Sequence, residues 1–316
     1  MQIKAADDKQ PDLDALAVLL ERPDVEAPTR RRIEQEIRQI RAGAAGERDA
    51  AWQIDFHYGA SRNYVTIHDL RLEVGDRVAQ VDHLVLTRLL DVWVLESRHF
   101  ADGVAVNDHG EWSALYGRSE RGMPSPVEQN RRHMMVLDDV FSSGLVHLPK
   151  RLGLVTIRPR LRSLILVSDN ARIVRPRSRA AAAQVDGLDT VIKCERLRAT
   201  IDRDFDQRGE VSILKAISQD SLEAVGRELA AQHRPIAIDW AARFGLPAVA
   251  TPAPALAAPA VEPKVAVAAG ACADCGRPVS KGIIDFCAAY PRRFGGRTLC
   301  ITCQRRKGGV APEEKA

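Results

Sequence analysis

Apolar residues alternate along residues 64–74 and crowd together in 78–86 and 91–99. β-Branched and aliphatic side chains in such runs suit strands, and the short 87–90 connection makes the second and third a hairpin. A spacing of three and four takes over elsewhere. Leu13, Leu16, Ala17 and Leu20 predict a helix over 11–22 that Pro23 ends. Ile33, Ile37, Ile40 and Ala44 predict a second over 30–58, capped by Thr29 and open to interruption at Gly43 and Gly46. After a turn at 107–110, residues 112–116 read as a further strand. Residues 122–126 form a rigid approach to a helix starting near Ser125, with Pro126 at its first position and Glu128 in its first turn. Strands over 161–167 and 189–195, a short partner strand over 171–174 and a helix over 211–232 complete the core. Within it Cys194 reads as a small buried hydrophobe.

The pattern lapses over 246–270, where Pro and Ala dominate and little remains to fold around, as expected of a semi-stiff linker. This divides the chain into a helical leader (1–43), a core domain (44–245), the linker (246–270), a cysteine-rich module (271–305) and a charged tail (306–316). A length of 316 residues accommodates one substantial domain and a smaller one.

Composition narrows the class. A hydrophobic content of 45% with 28% charged residues is that of a soluble globular protein. Apolar runs stay below the roughly 18 to 20 residues of a membrane span, and residues 1–11 have no apolar signal core. The expectation is a cytoplasmic protein without a membrane partner. A net charge of +4 excludes a strong polycation, yet arginines cluster at 30–32, 131–132, 158–162, 172–179 and 292–293. Such clusters suit either a phosphate track or a solvated face, and both readings stay open.

Five of the six cysteines fall within 272–303, which points to a metal site in a reducing compartment rather than a disulfide framework. Cys272-Ala-Asp-Cys275 and Cys300-Ile-Thr-Cys303 are two Cys-x-x-Cys knuckles with 24 residues between them. That spacing predicts a four-thiolate structural zinc site, a zinc ribbon whose metal supplies the folding energy of a module too short to bury a core. Cys287, the fifth thiol, either replaces one ligand or packs beside the site.

The other candidate chemistry lies in the hairpin. Pairing of its strands sets Asp82 beside Glu96, with Arg98 on the same face as Glu96. Two adjacent carboxylates repel unless a cation separates them, so the pair suits a divalent metal with oxygen ligands, magnesium before others. An Asp followed by Glu-x-basic one hairpin later resembles the PD-(D/E)XK nuclease signature. Gln80-Val-Asp-His-Leu-Val, Val92-Trp-Val-Leu-Glu-Ser-Arg-His-Phe100 and Pro124-Ser-Pro-Val-Glu-Gln-Asn-Arg-Arg-His133 together resemble a NERD (nuclease-related) domain, from Gly46 to mid-chain. The C-terminal module resembles the topoisomerase-type zinc ribbons, with Arg277, Lys281, Arg292, Arg293 and Arg297 supplying charge.

The resemblance implies a restriction-endonuclease-like α/β fold, a mixed central sheet flanked by helices, and metal-dependent hydrolysis of DNA phosphodiesters. It implies Mg2+ (or Mn2+) held by Asp82, Glu96 and the Ser97 carbonyl, with Glu47 on the first core helix reaching the ion directly or through water. Gln129 matches the Gln of a Gln-x-x-x-Tyr element that positions substrate or water, with His133 in place of the Tyr. The family has Lys where this chain has Arg98, which orients and neutralises but cannot serve as a base. His83 and His99, the neighbouring candidates, fall on the opposite strand faces from Asp82 and Arg98. The alternatives are a catalytically degenerate nuclease fold that binds nucleic acid, and an interaction protein whose zinc ribbon docks a protein partner. Neither oligomeric state nor pathway is written in the sequence. A Gly-x-x-x-x-Gly-Lys-Ser/Thr loop is absent, so helicase activity would require a partner.

Overall fold

The computed structural model describes residues 1–98, 100, 102–151, 154–207, 216–247, 270–277, 279, 283–284, 287–288, 294, 296–300 and 303–304. The chain forms two compact units, Met1–Ala248 and Val249–Ala316. Most of the expected linker and the whole charged tail lie outside the described residues.

The first unit is built on a mixed six-stranded sheet in the order β1 (Gln2–Lys4), β2 (Tyr64–Val74), β3 (Arg77–Thr87), β4 (Asp91–Arg98), β10 (Arg160–Val167), β12 (Val191–Lys193). The short β8 (Lys150–Arg151) and β9 (Val155–Thr156) pair with each other, and α4 (Arg179–Gln184) is a single short helix. The centre of the sheet is the expected antiparallel hairpin, β3 and β4, preceded by β2. On the other side β4 pairs in parallel with β10, which pairs in parallel with β12. The three-residue strand β1 closes the far edge in a stretch too polar and short to read as a strand beforehand.

Alternation along the strands divides the core. Leu84, Leu86, Val92 and Val94 face α3 (Pro126–Ser142) and α6 (Gln219–Ala231). Val85, Trp93, Leu95, Leu164 and Leu166 face α2 (Ala27–Ile54) and α5 (Leu197–Asp206). Each fully buried leucine contributes roughly 2 kcal/mol relative to exposure. The fold is thus a mixed sheet between two helical layers.

Several expectations need correction. Helix α2 begins at Ala27 with Glu26 as its N-cap, so Thr29 lies within the first turn. Pro28 suits that first turn and moves the start upstream of the Thr. The helix runs through Gly43 and Gly46 unbroken and widens only at the π-helical turn Asp55–Gly59, because Ala50 and Ile54 bury its far half against the sheet. The expected boundary between residues 43 and 44 therefore falls inside one helix. The segment 171–174 does not join β10. As β11 (Arg172–Val174) it pairs in parallel with β5 (Gly103–Val106) in a second sheet, ordered β11-β5-β6-β7, with β6 (Trp112–Tyr116) and β7 (Ser119–Met123). Gly103 allows this approach, since its φ is +138° and an added Cβ would collide with the Arg172 carbonyl oxygen. The strand expected over 189–195 shrinks to β12 between two 3-10 turns. Helix α6 starts at Gln219; residues 211–215 lie outside the described residues.

Helix α1 (Gln10–Leu20) packs with α2 and the short α7 (Trp240–Arg243) around Leu16, Leu19, Ile33, Trp240 and Phe244. This satellite core ties the leader to residues 240–246. Among the described residues no helix is long and apolar enough to cross a membrane.

In the second unit Cys272, Val279, Cys287, Phe294, Leu299, Cys300 and Cys303 form a small core.

Candidate active site and cysteine centre

The hairpin register places the acidic site. His83 lies opposite Leu95, so one further step along each strand sets Asp82 beside Glu96. Pairing of β3 with β2 skips this level, passing from His68↔His83 to Leu70↔Val81. At the skipped position Asp69 adopts a left-handed conformation, φ +53°, which Asp tolerates better than most residues. The break frees Asp82 from regular pairing. Its Oδ2 accepts hydrogen bonds from the Ser97 backbone N (2.9 Å) and Oγ (3.0 Å).

Glu96 is buried, yet it is not bare. Its Oε1 accepts from Arg98 Nη2 at 2.7 Å and from Gln129 Nε2 at 3.0 Å. Arg98 also donates to Gln129 Oε1, which closes a triangle of Glu96, Arg98 and Gln129. Gln129 reaches it from the first turn of α3, whose N-cap Ser125 accepts from the Glu128 N–H at 3.3 Å. One helical turn later His133 Nδ1 stands 3.5 Å from Glu96 Oε2. That Oε2 is buried without a hydrogen-bond partner.

Glu47, from the middle of α2, completes the acidic set. Burial pushes its carboxyl above the ordinary range, and the Asp69 and Glu96 charges add to this against Lys9 and Arg98. Asp82 is driven well above that range, by burial first and then by the Glu96 and Glu47 charges. These residues line connected clefts. One of about 520 Å³ is lined by Glu47, Asp82, Glu96, Ser97, Arg98 and Gln129. A second, of about 750 Å³, includes Lys9, Glu47, Asp69 and Asp82. All five candidate residues therefore share one cleft.

Lys9 and Asp69 escaped the sequence reading. Lys9 Nζ lies 2.7 Å from Asp69 Oδ2, and Gln80 donates to Asp69 Oδ1. No periodicity marks Lys9; the only sequence signal at Asp69 is an Asp inside a β-branched run.

A second unforeseen feature lies behind Asp82. His83 does sit on the opposite strand face, but its Nε2 is 3.2 Å from Ser97 Oγ, and Ser97 in turn contacts Asp82. His83 Nδ1 is 2.9 Å from His68 Nδ1, and His68 Nε2 is 3.1 Å from Asp55 Oδ1. Burial lowers the His83 pKa well below its ordinary value, with the His68 charge assisting, which favours the neutral imidazole. His99 lies outside the described residues.

The donor set fits a hard divalent cation: carboxylates crowded in one cleft, one buried carboxylate oxygen without a hydrogen-bond partner, and an Asp82 whose raised pKa a cation would lower. It is not a closed cage. Among the described residues, only the cysteines bring three or more potential ligand atoms within 4.8 Å of one another. Magnesium sites commonly complete their shell with water and substrate phosphate.

The cysteine centre differs. The sulfurs of Cys272, Cys275, Cys300 and Cys303 all lie within 4.8 Å of one another, against about 3.8 Å between thiolates around tetrahedral zinc. A backbone hydrogen bond from Cys300 leads in pulling the Cys272 thiol down to about 6, while hydrogen bonding from Cys275 leads in pushing Cys303 up to about 12. Mixed protonation is what four crowded thiols adopt without a cation. All six cysteines are free, and the set fits structural zinc. Cys287 packs beside it, accepting from the Leu299 N–H at 3.4 Å and from Gln304 Nε2 at 3.3 Å, outside the cluster of four. Arg277 and Arg297 are exposed; Lys281, Arg292 and Arg293 lie outside the described residues.

Residues 42–161 match the family model NERD, nuclease-related domain. The match spans Glu47, Asp82, Glu96, Arg98 and Gln129, and stops well before the cysteines. No curated protein and no solved structure matches the chain.

Proposed function

Because the chain carries a nuclease-related domain over residues 42–161, we propose that it is a metal-dependent nuclease that hydrolyses DNA phosphodiesters at the Asp82–Glu96 cleft. The observation that carries this reading is the crowding of Asp82, Glu96 and Glu47 into one cleft, where burial and the neighbouring carboxylates raise the Asp82 pKa. Asp82 and Glu96, with the Ser97 carbonyl, would hold Mg2+ or Mn2+, and Glu47 would assist. The ion supplies Lewis-acid stabilisation of developing charge and lowers the pKa of bound water. Gln129 orients Glu96 and Arg98. Arg98, always protonated, neutralises and positions phosphate oxygens but takes no proton. Ser97 fixes the Asp82 carboxylate through two hydrogen bonds. The four-cysteine module is assigned a structural zinc and a nucleic-acid or protein docking role.

A second reading has its own support. The Arg98–Glu96 contact places the protein's own cation where the metal would go, as in a nuclease fold that binds DNA without cutting it. Incubating wild type, Asp82→Ala, Glu96→Ala and Arg98→Lys with several DNA forms, with Mg2+, Mn2+ or chelator, separates the readings. Metal-dependent cleavage lost in the first two variants supports the nuclease. Cleavage that appears only in Arg98→Lys supports the degenerate fold.

A further inference from the structure

The chain has four tryptophans, and three of them, Trp93, Trp112 and Trp240, are 5 to 6% exposed. Trp52 is 66% exposed, and Phe56, one helical turn on, is 71% exposed. Their rings stack on each other at 5.4 Å with an interplanar angle of 24°. Two large aromatics this exposed have no role in the core they flank. Phe56 stands in the π-helical turn Asp55–Gly59, an irregularity frequent at functional sites. Exposed Arg41 and Arg48 stand eleven and four residues before Trp52, about three turns and one turn, and so on the same side of α2.

Trp52 lines a cleft that reaches Arg98 of the acidic site. A cleft of about 280 Å³ is lined by Gly46, Trp52 and Gln53 on one wall and by Ser97, Arg98 and Asn170 on the other. A strand whose phosphate lay at Arg98 would have its neighbouring bases beside the Trp52 ring. Stacking on an exposed ring requires an unpaired base, since a duplex hides its base faces.

We propose that Trp52 and Phe56 form a stacking platform for unpaired nucleobases, with Arg48 and Arg41 on the flanking phosphates, so that the site takes single-stranded or frayed DNA. The choice of substrate rests on the nuclease reading; the platform's existence is tested without cleavage.

The experiment uses the full zinc-loaded chain without added Mg2+ or Mn2+, with labelled oligo(dT) and a hairpin duplex read by anisotropy, and with intrinsic tryptophan fluorescence in parallel. Wild type binds oligo(dT) with quenching of the Trp52 emission. Trp52→Ala and Phe56→Ala each weaken oligo(dT) binding about tenfold, while hairpin binding changes less than about twofold. Trp52→Phe keeps most of the affinity and loses the quenching. Both positions are exposed, so circular dichroism of the variants matches wild type. Unchanged oligo(dT) binding in the Trp52→Ala/Phe56→Ala double variant, equal loss on hairpin and single strand, or no binding of oligo(dT) by wild type overturns the platform. So does a concentration-dependent dimer that only the double variant dissolves, which would assign the face to a second copy. Cleavage abolished by Asp82→Ala beside an unaffected double variant rejects the platform and keeps the nuclease. Quenching without metal-dependent cleavage does the reverse.

Discussion

The two candidate metal centres are built on opposite plans. The four cysteines come from two short knuckles, and their sulfurs already converge within 4.8 Å. The acidic site draws Glu47, Asp82, Glu96 and Gln129 from α2, β3, β4 and α3, and its charges are held apart by an internal cation, Arg98. Four soft thiols gathered at one point suit a closed, structural zinc site. The carboxylates instead lie open to two clefts, with the Asp82 pKa raised by burial and by its acidic neighbours. Under the proposed function the first centre is a fastener and the second a working site.

That contrast can be broken most forcefully at the cysteines. Structural zinc contributes about 10–16 kcal/mol in comparable small modules. Cys272→Ala or Cys300→Ala should therefore abolish bound zinc and leave the second unit open to proteolysis, while the first unit keeps its melting transition. Zinc content and limited proteolysis report both, and zinc retained at wild-type stoichiometry would contradict the assignment.

Arg98→Lys probes the acidic side at an intermediate scale. A lysine loses the paired contacts to Glu96 and Gln129 but gains a titratable amine. The nuclease reading expects cleavage to change by about tenfold or less, whereas the degenerate reading expects activity where wild type had none.

The smallest effect is thermodynamic. Asp82 and Glu47 hold protons more tightly folded than unfolded, so both weaken the fold as pH rises from the ordinary carboxylate range through their raised values. Asp82→Asn removes one such titrating group. Denaturant melts of the protein without added Mg2+ or Mn2+ should show the variant gaining about 1 kcal/mol over wild type near neutral pH, with the gain fading in acid. A gain that grows in acid instead would reverse the sign and refute the raised Asp82 pKa.

Much of this organisation was legible in the sequence because the signals are local. Asp82 and Glu96 sit on one hairpin, so alternation and a short turn fix their proximity. Gln129 follows a Pro-x-Pro helix start, and the knuckles announce themselves by spacing. What escaped depends on long-range packing. Glu47 was named, but the continuity of α2 through Gly43 and Gly46 comes from Ala50 and Ile54 docking on the sheet. Lys9 meets Asp69 across 60 residues of chain, at a left-handed Asp that no pattern marks. The chain from Asp55 through His68 and His83 to Ser97 needs the exact register of three strands. The Arg98–Glu96 contact was the least foreseeable, since sharing a strand face says nothing about whether two side chains turn towards each other or towards an ion.

The most direct test of the central claim is cleavage of labelled DNA by wild type and by Asp82→Ala, compared in Mg2+, Mn2+ and chelator. The account predicts cleavage by wild type in metal alone and a loss of at least about 100-fold in the variant, since metal catalysis is worth several kcal/mol of barrier. Equal cleavage by both proteins, or cleavage by wild type that persists in chelator, would contradict it.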